Sequence, residues 1–300
     1  VIPFIGQDVE KRLDWIALTD ALAAGHSRPR ADLGDVLLRR GEDSLLSRAA
    51  IIDGLGSLVK TATVFPGNSR LGLTSINGAV AVFSDRDGSP EAMIDFHLLT
   101  KWKTAGDSLL ASRLLAPPGV GQILIVGAGA VARSLREAYG AIFPDARYAI
   151  WNRTRSRAEE RAAEMSETTV AADLAEAVER ADIVTVATMS TDPIINGEWL
   201  RPGQHVDLIG AYRSDMREAD DVALSRSRIF VDSRETVLEH IGELRDPISR
   251  GVLTPSDIVA DFYELSSFVR GPDEITLFKN GGGAHLDLMT ARYVLSATEV

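Results

Sequence analysis

"QILIVGAGAVARSL", residues 122–135, decides how this chain of 300 residues is read. A short apolar run from Ile123 to Val126 passes into Gly127-x-Gly129-x-x-Ala132 and then into a helical pattern. The first glycine suits a tight turn between strand and helix. The second removes the side chain where backbone must approach a pyrophosphate, and the small Ala132 lets helix and strand pack closely. N–H groups at the helix start, at Ala130 and Val131, have the helix dipole behind them and suit phosphate oxygens. Such a glycine turn is common by itself, so its setting has to carry the weight.

Downstream the setting is consistent. "ILIVG", "YAIW", "DIVTVAT", "HVDLIG", "RIFVD" and "EITLF" recur with helical segments between them. Near-continuous apolar strands alternating with helices predict a parallel sheet covered on both faces. Six such strands is the number a doubly wound dinucleotide fold uses. The first intervening helix is predicted to set Val131, Leu135, Ala138 and Ile142 on one stripe. Ala187 and Thr188, closing "DIVTVAT", join the expected cofactor-binding set.

Upstream, "VKTATVF" (59–65) and "GAVAVF" (78–83) read as strands, and "SDRDGSP" (84–90) places an Asp-Gly turn before "EAMIDF". This is the pattern of an α+β unit with antiparallel strands. Pro117-Pro118-Gly119 ends the helix "TKWKTAGDSLLASRLLA" and opens the next unit. After the sixth strand, "NGGGAHLDLMTARYVLSATEV" offers a glycine hinge at Gly281 to Gly283. A helix follows with Leu286, Met289 and Tyr293 on one side, expected to cross back to the first domain. The expected architecture is α/β: a Rossmann-type doubly wound parallel sheet over 117–283, plus an α+β domain from 1–116 with 284–300.

Composition bounds the function. The chain is 45% hydrophobic and 25% charged, with mean hydropathy +0.01 and formal net charge -11. That is a soluble globular mixture, long enough for two cores. No run approaches the ~18 apolar residues of a membrane span, and no basic segment precedes an apolar one at the start, so no membrane partner is expected. There is no cysteine, hence no disulfide or thiolate metal site, and a cytoplasmic enzyme fits. Overall acidity argues against nucleic acid. His26, His97, His205, His240 and His285 lack metal-type spacing and read as structural or exposed; no metal is expected.

In so acidic a chain, "AIWNRTRSR" (149–157) stands out at the end of the second strand. An NAD site places a carboxylate there, about 20 residues past the glycine motif, to hold the ribose 2′-hydroxyl. Here the residues are Asn152, Arg153, Thr154 and Arg155. A carboxylate would repel a 2′-phosphate, whereas a guanidinium can hold it with two charge-assisted hydrogen bonds. Cations at a helix start otherwise oppose the dipole without return. The expected cofactor is NADP(H), with NAD(H) second.

"VKTATVFPGN" (59–68), "LTKWKTAGDS" (99–108), the Gly127 motif, "GAYRSDMREAD" (210–220) and "ITLFKNGGGA" (275–284) together make the chain resemble the ornithine cyclodeaminase/mu-crystallin family over nearly its whole length. The resemblance implies a homodimer formed through the N-terminal domain, a small amino or imino acid bound between the domains, and hydride transfer at its α-carbon. It places Lys60 at the active-site lysine, against the substrate carboxylate and reacting carbon. Arg30, in "SRPRAD", corresponds to a carboxylate-binding arginine, and Lys103 stands where most members carry another. Asn68 and Ser75 fall near pocket-lining positions, and Thr104 beside the cofactor. Ornithine cyclodeaminases carry an aspartate where this chain has Tyr212; Asp215 lies three residues on. The implied activity is therefore reduction of a C=N bond in a ketimine or cyclic imino acid, such as pyrroline- or piperideine-2-carboxylate. Alternatives are an ornithine cyclodeaminase (ornithine to proline plus ammonia) or alanine-type dehydrogenase using Asp215, and a non-catalytic NADPH-dependent ligand-binding protein.

Overall fold

The structure, a computed structural model, describes residues 1–298; the last two residues of the expected 284–300 segment lie outside the described residues. The chain divides into two compact units, one from Val1 to Lys103 with the segment from Gly283 onward, the other Thr104–Gly282. The first boundary thus falls inside a helix, not at the expected 116/117 break. Packing explains this. Beyond Lys103 the helix bonds to the second unit, through Ser108 to Asp207, Ser112 to Tyr139 and the Leu115 carbonyl to Arg270.

The first unit begins with β1 (Phe4–Ile5), α1 (Trp15–His26), β2 (Asp32–Arg40), β3 (Asp43–Ile52), β4 (Gly56–Val64), β5 (Ile76–Phe83), β6 (Pro90–Asp95) and α2 (Phe96–Leu115), which crosses the boundary. Its sheet has the order β1-β6-β5-β4-β3-β2, antiparallel except for the β1–β6 pair. The expected turn joins β5 to β6. Asp95 accepts a hydrogen bond from the Leu98 N–H and caps α2, which therefore starts at Phe96. Neither α1 nor β1–β3 is announced by the patterns above. Nearly every residue of β2 is exposed, so no buried face imposes alternation on it. In β4 alternation is clear: Leu58 and Lys60 point inward while Val59 is exposed. Inward alternation puts a lysine on the covered face.

The second unit contains β7 (Gln122–Val126), α3 (Ala130–Ile142), β8 (Arg147–Trp151), α4 (Arg155–Ala163), β9 (Thr168–Val170), α5 (Leu174–Arg180), β10 (Ile183–Val186), β11 (His205–Leu208), α6 (Asp221–Ser225), β12 (Ser227–Val231), α7 (Arg234–Val237), α8 (Gly242–Ser249), β13 (Ile258–Ala260) and β14 (Ile275–Lys279). All pairs in its sheet are parallel, in the order β13-β12-β14-β11-β10-β7-β8-β9. The doubly wound expectation holds, with eight strands rather than six. The two additions, β9 and β13, are edge strands of three residues each, too short to form an apolar run. On α3 the buried positions are Ala132, Ser134, Leu135, Ala138 and Tyr139, while Val131 and Ile142 are half-buried. The stripe is rotated by about a residue because two alanines allow close approach, and the Tyr139 hydroxyl reaches a buried carboxylate at Asp207.

The last helix, α9 (Ala284–Ser296), belongs to the first unit and packs on α1, β3 and β4. Every residue from Ala284 to Ala291 is buried, so the predicted one-sided stripe is replaced by enclosure on all sides. Tyr293 is half-buried, and its hydroxyl bonds to the backbone of Asp14. Among the described residues no helix is long and apolar enough to cross a membrane.

Candidate active site

Lys60 sits in β4 between Val80 of β5 and Arg48 of β3 in the ladder, so the three side chains share a face. Its Nζ donates to Asp287 Oδ1 at 2.8 Å and lies 5.0 Å from the centre of the Phe96 ring. The lysine is 8% exposed and Asp287 is 2% exposed. Burial lowers the Lys60 pKa; Asp287 works against this, and the charges of Lys103 and Arg48 add to it. Lys103, on α2, is buried too. Arg48 is clasped by Asp35 at 2.9 Å. Arg30 is exposed, in the turn after α1.

His285 ties the cluster together. It is buried in the first turn of α9, edge-on to His26 with ring centres 5.5 Å apart. Burial and the charges of His26, Lys103, Arg48 and Arg30 drive its pKa well below the histidine range, so its ring is neutral. The structure therefore brings Lys60, Lys103 and Arg30 into one electrostatic neighbourhood, with Arg48, Asp287 and His285 added. Asn68 and Ser75 lie in the loop after β4. The Asn68 amide donates to the Thr74 carbonyl, and the Ser75 carbonyl accepts from the Phe65 N–H, so both shape the loop after β4.

In the second unit, Gly127 has φ +109°, and a Cβ there would stand 2.5 Å from the Ala187 carbonyl oxygen and 3.2 Å from the Thr188 methyl. Only glycine lets the ends of β7 and β10 approach this closely. Gly129 caps α3 with extended backbone, has open space where its Cβ would be, and lends no side chain to the helix end. The N–H groups of Ala130 and Val131 are thus available to an anion. Strand order places β8 on one side of β7 and β10 on the other, the switch point at which such sheets take ligands.

Beyond β8, Asn152 uses its amide to fasten the glycine loop: Oδ1 accepts from the Ala128 N–H at 3.3 Å, and Nδ2 donates to the Thr154 carbonyl at 2.9 Å. Arg153 and Thr154 are exposed, and Arg155 pairs with Glu159 at 2.8 Å. Arg161 of α4 also touches the loop, donating to the Ala128 carbonyl. The Thr104 carbonyl accepts from Asn280. Tyr212 is exposed, and Asp215 is held by both Nε and Nη2 of Arg213, which keeps its carboxyl below the usual range.

The sequence reading did not find Asp287, Arg48 or Glu218. Asp287 had one signal, a lone charge in the apolar run "AHLDLM". Arg48 had none, since its place beside Lys60 depends on strand register. Glu218 is fully buried within "MREADD" and looks like a surface residue there.

A family profile described as ornithine cyclodeaminase/mu-crystallin family matches residues 53–299. A Delta(1)-pyrroline-2-carboxylate reductase from Paracoccus denitrificans is 47% identical over 296 residues, covering 96% of this chain and 94% of that protein. The ketimine reductase mu-crystallin of Mus musculus is 35% identical, covering 78% of this chain and 74% of that one. Among solved structures, the Thermococcus litoralis Delta(1)-pyrroline-2-carboxylate reductase in complex with NADH and L-proline superposes with a TM-score of 0.89. It is 24% identical and covers 99% of this chain and 97% of that chain, a likeness of fold.

Proposed function

The chain belongs to the ornithine cyclodeaminase/mu-crystallin family, and from that premise we propose that it is an NADP-dependent oxidoreductase. It reduces the C=N bond of a cyclic imino acid, pyrroline-2-carboxylate or its six-membered homologue, to the amino acid. One observation carries this: a buried lysine, held by a buried carboxylate, inside a neighbourhood of further cations. Two buried ammonium groups within mutual reach are costly unless anions are at hand. Asp287 supplies one, and a substrate carboxylate supplies the other. The 47% identity to a pyrroline-2-carboxylate reductase supports the substrate class.

A reduced nicotinamide, when bound, supplies the hydride. The chain's residues do the rest. Lys103 and Arg30 neutralise the substrate carboxylate and set its orientation. Lys60 Nζ, kept in place by Asp287 and lowered in pKa by burial, gives a proton to the imine nitrogen as the carbon is reduced. Gly127, Gly129 and the N–H groups of Ala130 and Val131 hold the pyrophosphate, with Ala187, Thr188 and Thr104 alongside. Arg153, Thr154 and Arg155 receive the 2′-phosphate. Asn152 serves by fixing the loop.

The cyclodeaminase alternative asks Asp215 to carry a proton, yet the Arg213 guanidinium keeps that carboxylate ionised and occupied. A homodimer, cytoplasmic in setting, completes the proposal. Val36, Leu37 and Leu38 of β2, with Leu71, Leu73 and Ile76, leave apolar surface exposed on the first unit.

The test is turnover. Purified protein given pyrroline-2-carboxylate and NADPH consumes the reduced nicotinamide and yields proline. Ammonia release from ornithine, with no oxidation of NADPH by any cyclic imino acid, overturns the proposal.

A further inference from the structure

We propose that Glu218 is a positioning residue for the coenzyme: its buried carboxylate clamps together the loops that leave β10 and β11, and so sets one wall of the cofactor crevice. The proposal rests on the reading of the second unit as the dinucleotide site. It concerns a residue that touches no part of the glycine motif.

Glu218 Oε1 accepts from the Thr188 N–H at 2.7 Å and the Thr188 hydroxyl at 2.8 Å, while Oε2 accepts from the Gly210 N–H at 2.7 Å. One carboxylate thus holds the second residue beyond each of two neighbouring strands. The loops are pressed together, since a Cβ on Gly210 would lie 1.8 Å from the Thr188 carbonyl oxygen. On its other side Thr188 faces Gly127, where the crevice opens. Movement of Thr188 therefore alters the space in which the coenzyme must lie.

Glu218 is itself braced. Its carbonyl accepts from the N–H groups of Ile194 and Ile195, and its own N–H and that of Ala219 donate to the Glu243 carboxylate of α8. Lys279, fully buried at the end of β14, donates from Nζ to the carbonyls of Leu208 and Asn280, and its charge acts on both glutamates. Arg217, paired with Asp221 and Asp246, acts on Glu243 as well. An apolar core of the same shape would be at least as stable as this set of buried charges. What a carboxylate adds is acceptors for donors on two loops at once.

The clamp depends on protonation. Burial pushes the Glu218 carboxyl up to about 7, with Lys279 opposing and Glu243 assisting. Ionised, both oxygens accept; protonated, one of them presents an O–H to backbone donors and the grip slackens. Coenzyme affinity is therefore full above this range and falls as pH drops through it.

Titration of the full-length protein with NADH, which lacks the separately ionising 2′-phosphate, and with NADPH checks this. In the parent protein the Kd for NADH rises several-fold from about pH 8 to about pH 6. E218Q weakens binding about tenfold at the higher pH and flattens the profile. T188V, which deletes only the hydroxyl donor, weakens it about threefold and keeps the profile. Folded E218Q with a parental Kd, or with the parental pH profile, overturns the proposal. If E218Q does not fold, T188V decides, and a parental Kd there overturns it. A parent protein that binds neither dinucleotide instead removes the coenzyme reading beneath it.

Discussion

The first unit buries two ammonium groups, Lys60 and Lys103, with the Asp287 carboxylate against one of them; the second buries the carboxylates of Asp207, Glu218 and Glu243 with the Lys279 ammonium among them. In the second unit the chain answers its own charges. Asp207 accepts from Ser108, Tyr139 and Thr185, and burial still raises it to about 6. Glu243 has two backbone donors and Lys279 two carbonyl acceptors. In the first unit the answer is partial. Of the three donors on Lys60 Nζ, one goes to Asp287, and an aromatic face lies nearby. Charges saturated by their own chain build architecture; charges with capacity left over are the ones on which the proposed site rests.

Removing the unsaturated charge tests that contrast most severely. Lys60→Met lowers kcat about a thousandfold while NADPH binding, followed by nicotinamide fluorescence, stays at the parental level. Parental turnover in this variant breaks the comparison, because Lys60 is then another structural charge.

Removing its partner is next in size. Asp287→Asn lets Lys60 drift and lowers kcat about a hundredfold. The pH profile supplies the sharper sign. Lys60 must be protonated to act, so activity is lost as pH rises through its pKa. Asp287 raises that pKa, so the variant loses activity at lower pH than the parent. An unmoved alkaline limb means that another group donates the proton.

The smallest effect belongs to an exposed charge of the second unit. Arg153→Ala weakens NADPH about tenfold and leaves NADH unchanged, read as the ratio of their dissociation constants. Equal loss for both coenzymes removes the assignment of NADP.

Legibility followed burial. β7, β10 and β11 are covered on both faces and read directly as apolar runs, whereas β9 and β13 lie at edges and left no trace. β2, exposed along almost its whole length, had no pattern to show, and α9, enclosed from Ala284 to Ala291, showed a one-sided stripe where every side is covered. Within the candidate site, Lys60 and Lys103 stand in motifs that single them out. Neither Arg48 nor Asp287 stands in a motif with the lysine it serves.

By itself, then, the sequence determined what local order encodes: strand–helix alternation, the glycine turn with its open helix start, and arginines where a carboxylate would otherwise stand. Only the tertiary structure decided which charges meet. Asp287 reaches Lys60 across 227 positions, Arg48 comes beside it by strand register, and Glu218 joins two loops. The physical reason is that a pattern along the chain records which way a side chain faces, but a buried ion pair forms between whichever groups folding brings within reach, and separation along the chain does not record that.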